Sequence, residues 1–167
     1  IVISLVGSEM CIRDSINSSH KVGVDGVLVV DIPGELSLKA YGIDNEDLDI
    51  ISLISPTTSR DRIQEIISNS SGFIYYITLR GVTGSSHLDE KEIEKNIDYI
   101  KSITTTPVMA GFGIKSKDDV QLLSSFSDGV VIGSSIVELI HKNSENHDFR
   151  EVSDYICLLY TSPSPRD

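Results

Sequence analysis

Cysteine, positive charge and long apolar runs are all scarce in this chain, and each scarcity closes off a class of function. The 167 residues hold two cysteines, Cys11 and Cys157, one near each end. The middle of the chain therefore offers no disulfide framework and no thiolate set for a metal. Fourteen Lys and Arg stand against 25 Asp and Glu, a formal charge of −11. Such a chain lacks the basic face that broad nucleic-acid binding needs. It leaves room for a local phosphate site, because backbone N–H groups at a helix N-terminus hold phosphate without lysine. The apolar start IVISLV is too short to span a membrane. No G-x-G-x-x-G follows the first β-rich run, which weakens a dinucleotide-binding reading. His87 and His141 have no metal-ligand spacing around them and read as surface histidines.

The two ends differ in texture from the rest. Residues 5–15 read LVGSEMCIRDS and residues 157–167 read CLLYTSPSPRD. Back-translated, Glu9–Asp14 and Cys157–Ser162 form complementary stretches of one DNA sequence read on opposite strands. That sequence resembles a transposon-end adapter of sequencing libraries. The expectation is an adapter-derived, non-native stretch at 1–15, a native domain at 16–156, and a second adapter-derived stretch at 157–167. Both cysteines then fall outside the native part and carry no message about redox compartment. About 140 residues remain, enough for one core-forming unit. A hydrophobic content of 40% is that of a soluble globular protein.

Five short β-rich runs recur along the middle: Gly26–Val30, Ile50–Ile54, Phe73–Leu79, Pro107–Ala110 and Gly129–Ile132. Between them lie segments with helical spacing. Arg60–Ser68 sets Ile63, Ile66 and Ile67 on one face. Asp89–Ile103 does the same with Ile93, Ile97, Ile100 and Ile103, and Lys117–Phe126 with Val120, Leu123 and Phe126. Thr57–Ser59 and Ser116–Asp118 are candidate helix starts. The acidic run Asp89–Glu94 reads as a solvated first turn, where negative charge suits the helix dipole. Strands alternating with helices predict an α/β fold with a parallel sheet. Two architectures fit: an open doubly wound sheet, or part of a (β/α)8 barrel.

In either architecture the site lies beyond the carboxyl ends of the strands. The residues there are Asp31–Glu35, Ser55–Ser59, Arg80–Ser85, Gly111–Lys115 and Gly133–Ile136. The last three put glycine where a backbone can approach a ligand closely. A helix opening at Gly133-Ser134 would aim free N–H groups at the sheet edge, with Ser134 or Ser135 as N-cap and Ser135-x-x-Glu138 as a capping box. Three successive glycine loops on one edge point to bound phosphate.

GVDGVLVVDIP, YYITLRGVTGS, PVMAGFGIKS and DGVVIGSSIVELI together resemble the tryptophan synthase alpha subunit family, over nearly all of residues 16–156. The resemblance implies an incomplete (β/α)8 TIM barrel holding strands four to eight with their helices. It implies the lyase that cleaves indole-3-glycerol phosphate to indole and glyceraldehyde 3-phosphate, a cytoplasmic enzyme of tryptophan biosynthesis. That cleavage needs general acid and base groups. The family's glutamate and aspartate belong to the early strands, so no catalytic residue is expected in this chain and the fragment itself is expected to be inactive. By the same resemblance Gly84, Phe112, Gly113, Gly133 and Ser134 bind the substrate phosphate. Leu28, Leu53, Tyr75 and Thr83 line the substrate pocket, Thr83 on a mobile loop. No metal and no cofactor of its own is implied. Pyridoxal phosphate belongs to the beta subunit, which is the expected partner, with neither nucleic acid nor membrane. Leu79 and Arg80 stand where other members carry different residues.

Plainer readings stand beside these. Tyr75 also suits a barrel core, Phe112 a plug between two glycines, and Thr83 a hydrated loop hydroxyl. Asp31 suits a turn cap before Pro33, and Arg80 a solvated loop cation. Other functions also fit: a different phosphate-binding barrel enzyme of biosynthesis, or a catalytically silent barrel kept as an allosteric partner. Five strands of eight leave two open edges and an exposed apolar inner face. The isolated chain is therefore expected to be poorly soluble or partly unfolded.

Overall fold

Apolar runs rich in β-branched and aromatic residues, each flanked by turn formers, leave little choice but short strands, here three to six residues long. In the computed structural model they form one parallel sheet. The structure describes residues 2–5, 14–16, 18–19, 21–30, 33–34, 48–78, 90–111, 113–114, 116–144 and 148–160. The strands are β1 (Val2–Leu5), β2 (Gly26–Val29), β3 (Asp49–Ile54), β4 (Ile74–Ile77), β5 (Val108–Gly111) and β6 (Gly129–Val131). The helices whose bounds lie among the described residues are α1 (Arg60–Ser68), α2 (Glu90–Ile103), α3 (Lys117–Ser124), α4 (Ser134–Asn143) and α5 (Arg150–Tyr160).

The strand order is β1-β2-β3-β4-β5-β6, with every neighbouring pair parallel. A doubly wound sheet reverses its order at a switch point. Here the order runs one way without reversal, which is singly wound topology and discards the doubly wound alternative. Among the described residues six strands are present where five were expected. The extra one, β1, falls within residues 1–15 and pairs with the open edge of β2 from Val2↔Gly26 to Leu5↔Val29. Its VISL sequence has the β-branched, apolar character that a free strand edge accepts. At the other end α5 runs past residue 156 to Tyr160, with Val152 and Leu159 buried.

Register sorts the side chains onto two faces, because paired residues in parallel strands point the same way. One face carries Ile54, Ile74, Tyr76, Val108 and Ala110, all buried. Helices α1, α2 and α3 pack on it through Ile63, Ile66, Ile93, Ile97, Ile100 and Leu123, giving one continuous core. Each such isoleucine contributes about 1.5–3 kcal/mol by leaving water. The opposite face carries Leu28, Ile51, Leu53, Tyr75, Met109 and Val131. Of these Leu53, Tyr75, Met109 and Val131 are only half-buried.

Polar ties secure the end of the sheet where the strands begin. The Asp128 carboxylate accepts from the Val108 backbone N–H at 2.9 Å and pairs with Lys101 at 2.8 Å. The Asp128 N–H donates to Val108 O at 2.9 Å. One side chain thus joins β5, the approach to β6 and the last turn of α2. Helix α3 starts on a full capping box. Asp119 N–H donates to Ser116 Oγ at 3.2 Å, and Ser116 N–H donates to Asp119 Oδ2 at 3.1 Å.

Candidate functional site

The half-buried face and the strand ends beyond it gather the described candidates. Leu53 and Tyr75 are register partners on β3 and β4, and Leu28 lies on the same face, paired with Ile51. Tyr75 stands beside Met109 and leans over Gly111. A Cβ on Gly111 would lie 3.0 Å from the Tyr75 hydroxyl and 2.7 Å from Val131 O. Gly111 is thus required by the phenol packed on it and by the β6 backbone. The Tyr75 hydroxyl has no hydrogen-bond partner among the described residues. Burial raises its pKa above the ordinary phenol range. The residue is therefore a neutral donor on an otherwise apolar wall.

Beyond this wall, two loops meet at the carboxyl ends of β5 and β6. Gly113 has φ 70°, in the left-handed region where a side chain is strained. It turns the chain out of β5 before Ile114 drops back into the core. Helix α4 opens directly after β6. Its N-cap is Gly133, with Ile136 N–H and Val137 N–H donating to Gly133 O at 3.0 and 3.1 Å. A Cβ added to Gly133 would meet nothing within 4 Å. The helix N-terminus therefore faces open space, with Ser134 exposed at its first position. Its free N–H groups and dipole favour an anion.

The expected cap is corrected here. Neither Ser134 nor Ser135 is the N-cap, and no side chain caps the helix, so the Ser135–Glu138 box does not form. The Ser135 hydroxyl instead donates to Ile114 O at 2.9 Å. That bond ties the β5–α3 loop to α4, and sequence reasoning missed it. The one signal was a second serine in GSSI, a hydroxyl more than a single cap uses.

Gly113, Gly133 and Ser134 thus share one edge, and Leu28, Leu53 and Tyr75 share one face. Thr83, Gly84 and Phe112 lie outside the described residues, as do Asp31, Arg80 and His87. His141 is exposed on α4. Among the described residues no group of three or more His, Cys, Asp or Glu could hold a metal, and no helix is long and apolar enough to cross a membrane. A cavity of about 250 Å³ opens beside β2 and β3, reaching Leu53 but none of the phosphate candidates. Its hydroxyl wall is self-bonded, with Ser55 Oγ 3.0 Å from both Thr57 Oγ1 and Thr58 Oγ1.

A family model described as tryptophan synthase alpha chain matches residues 6–158, past both boundaries drawn at 16 and 156. The tryptophan synthase alpha chain of Desulfatibacillum aliphaticivorans is 42% identical over 125 residues, 74% of this chain and 47% of that one. Its counterpart in Staphylococcus haemolyticus is 43% identical over 144 residues, 84% of this chain and 59% of that one. A solved structure from work on mutual activation of the tryptophan synthase α2β2 complex of Pyrococcus furiosus superposes with a TM-score of 0.80. It is 26% identical and is matched over 97% of this chain and 67% of that one. The chain spans about half the length of the curated relatives it matches.

Proposed function

This chain belongs to the tryptophan synthase alpha chain family, and from that premise we propose that it is the phosphate-holding part of a lyase acting on indole-3-glycerol phosphate. In this reading β2–β6 are strands four to eight of a (β/α)8 barrel. The half-buried face is the barrel interior, and the Gly113 and Gly133–Ser134 loops hold the substrate phosphate. The observation that carries the reading is the junction of those loops: Gly113 in a left-handed turn, beside a helix N-terminus open to solvent. Phosphate sits at the corresponding strand ends in many barrels. Leu28, Leu53 and Tyr75 would then meet the indole side of the substrate, with Thr83, Gly84 and Phe112 completing the wall.

The cleavage itself needs an acid to protonate the indole carbon and a base at the glycerol hydroxyl. Among the described residues the inner face carries one strand carboxylate, Asp49, at the amino end of β3 and away from Tyr75 and the carboxyl strand ends. We assign both groups to strands that precede this part of the barrel, so residues 16–156 alone bind and do not cleave. Indole would pass to a beta-type partner subunit, where pyridoxal phosphate belongs; the Pyrococcus furiosus relative's α2β2 complex supports such a partner. The setting would be cytoplasmic.

The test is a fusion that completes the barrel. The N-terminal βα units of the Staphylococcus haemolyticus relative are joined ahead of residues 16–156, and indole release from indole-3-glycerol phosphate is followed. The fusion is expected to release indole and the chain alone to release none. A folded, monomeric fusion without activity refutes the assignment.

A further inference from the structure

We propose that Ser135 is a positioning residue: its hydroxyl locks the Gly113 loop to the start of α4 and so sets the spacing of the two walls of the anion cradle. The inference rests on reading these loops as the phosphate site. Ser135 occupies the second position of α4, behind Gly133 as N-cap, so its hydroxyl is not consumed by capping. It reaches 21 residues back along the chain to Ile114 O, at 2.9 Å. The Ile114 side chain is 4% exposed and belongs to the core. The loop is therefore held from two directions, by its side chain in the core and by its carbonyl on α4. Among the described residues this is the one hydrogen bond joining the β5–α3 loop to α4.

Spacing matters because an anion must be reached from both loops at once. Hydrogen bonds lengthen out of range within a few tenths of an ångström, and a displacement of about 1 Å is costly to any preorganised site. Gly133 places no side chain against its neighbours. Among the described residues, hydrogen bonding between the Gly113 loop and the α4 N-terminus is thus left to this one bond. Without it the two loops settle independently, and each contacts phosphate at its own distance.

The experiment titrates inorganic phosphate into the full chain and into the completed-barrel fusion, reading the backbone amide resonances of Gly113 and Ser134. In the unsubstituted protein both amides are expected to follow one binding curve. Ser135→Ala is expected to weaken binding about fivefold, the share of one net hydrogen bond, and to lose the Gly113 response before that of Ser134. Ser135→Thr, which keeps the hydroxyl, restores the common curve. A Ser135→Ala protein with unchanged affinity and coupled responses overturns the inference while leaving the phosphate reading intact. Equal weakening by Ala and Thr, tracking a loss of melting temperature, marks a purely structural role and also overturns it. An unsubstituted fusion that binds no phosphate at these amides removes the phosphate reading, and the inference with it. Measuring in the fusion covers any variant that does not fold in the chain alone.

Discussion

Two glycines at the sheet edge do different work, and one methyl group separates them. Gly113 holds φ 70°, so Gly113→Ala forces a side chain into the left-handed region, costing about 1–2 kcal/mol. Gly133 has φ −116° and open space where a Cβ would go, so Gly133→Ala meets no steric strain and costs only the poorer N-cap that alanine makes, about 0.5–1 kcal/mol. The methyl would nevertheless occupy the place proposed for the phosphate. The expected outcome for Gly133→Ala in the fusion is a small drop in urea midpoint and a raised KM for indole-3-glycerol phosphate. An unchanged KM would mean the open space is not the ligand's. Tyr76 gives rise to a pH dependence. Burial raises its phenol pKa, and repulsion from Glu92 adds to this, against a hydrogen bond from Asn96. A raised folded pKa means the folded state holds its proton longer. The stabilisation is complete below the ordinary phenol value of about 10 and is lost as pH rises through the folded value. Unfolding free energy of the fusion is expected to fall above about pH 10, and less steeply in Tyr76→Phe. Equal slopes in the two proteins would contradict this.

Helices and strands were legible where burial dictates pattern. Arg60–Ser68 is the helix its isoleucine spacing predicts, and α2 and α3 begin within a residue of their expected starts. Strands β2 to β6 lie on the five apolar runs, with ends shifted by a residue or two. Helix caps were less legible, because a serine's hydroxyl has several acceptors and sequence does not rank them. At Ser116 the choice is local and the box forms with Asp119. At Ser135 the acceptor lies 21 residues away, which no short motif encodes. Strand β1 was not legible, because it lies in the adapter-like stretch 1–15 and its pairing with β2 is a property of the folded sheet, not of the VISL segment alone. In α3, Ser116→Ala removes one half of the capping box and is expected to destabilise the fusion by about 1 kcal/mol, read from denaturant unfolding. Ser135→Ala should cost the helix start of α4 no cap at all. If the two substitutions frayed their helices equally by amide exchange, the assignment of caps would be wrong.

At the scale of the molecule, one face of the sheet is closed by helices and the other is half open. Ile54, Tyr76 and Ala110 are buried under α1–α3, while Leu53, Tyr75 and Met109 beside them in the same strands stay partly exposed. The fold class was readable from strand–helix alternation. The choice between doubly and singly wound topology was not, because it depends on which strands become neighbours. The Gly113 and Gly133 loops were legible as a candidate site because glycines just past two successive strand ends let backbone N–H groups come close to a ligand. Thr83, Gly84 and Phe112 fall outside the described residues, so their part in the site rests on the sequence alone. Everything proposed for this molecule depends on the edge formed by β5 and β6 holding phosphate. An amide chemical-shift map of the fusion, recorded as inorganic phosphate is added, decides the matter. Shifts concentrated at Gly113, Gly133 and Ser134 are expected. Shifts centred instead on Ser55, Thr58 and Arg62 of the cavity beside β3, with the β5–β6 edge unmoved, would contradict it.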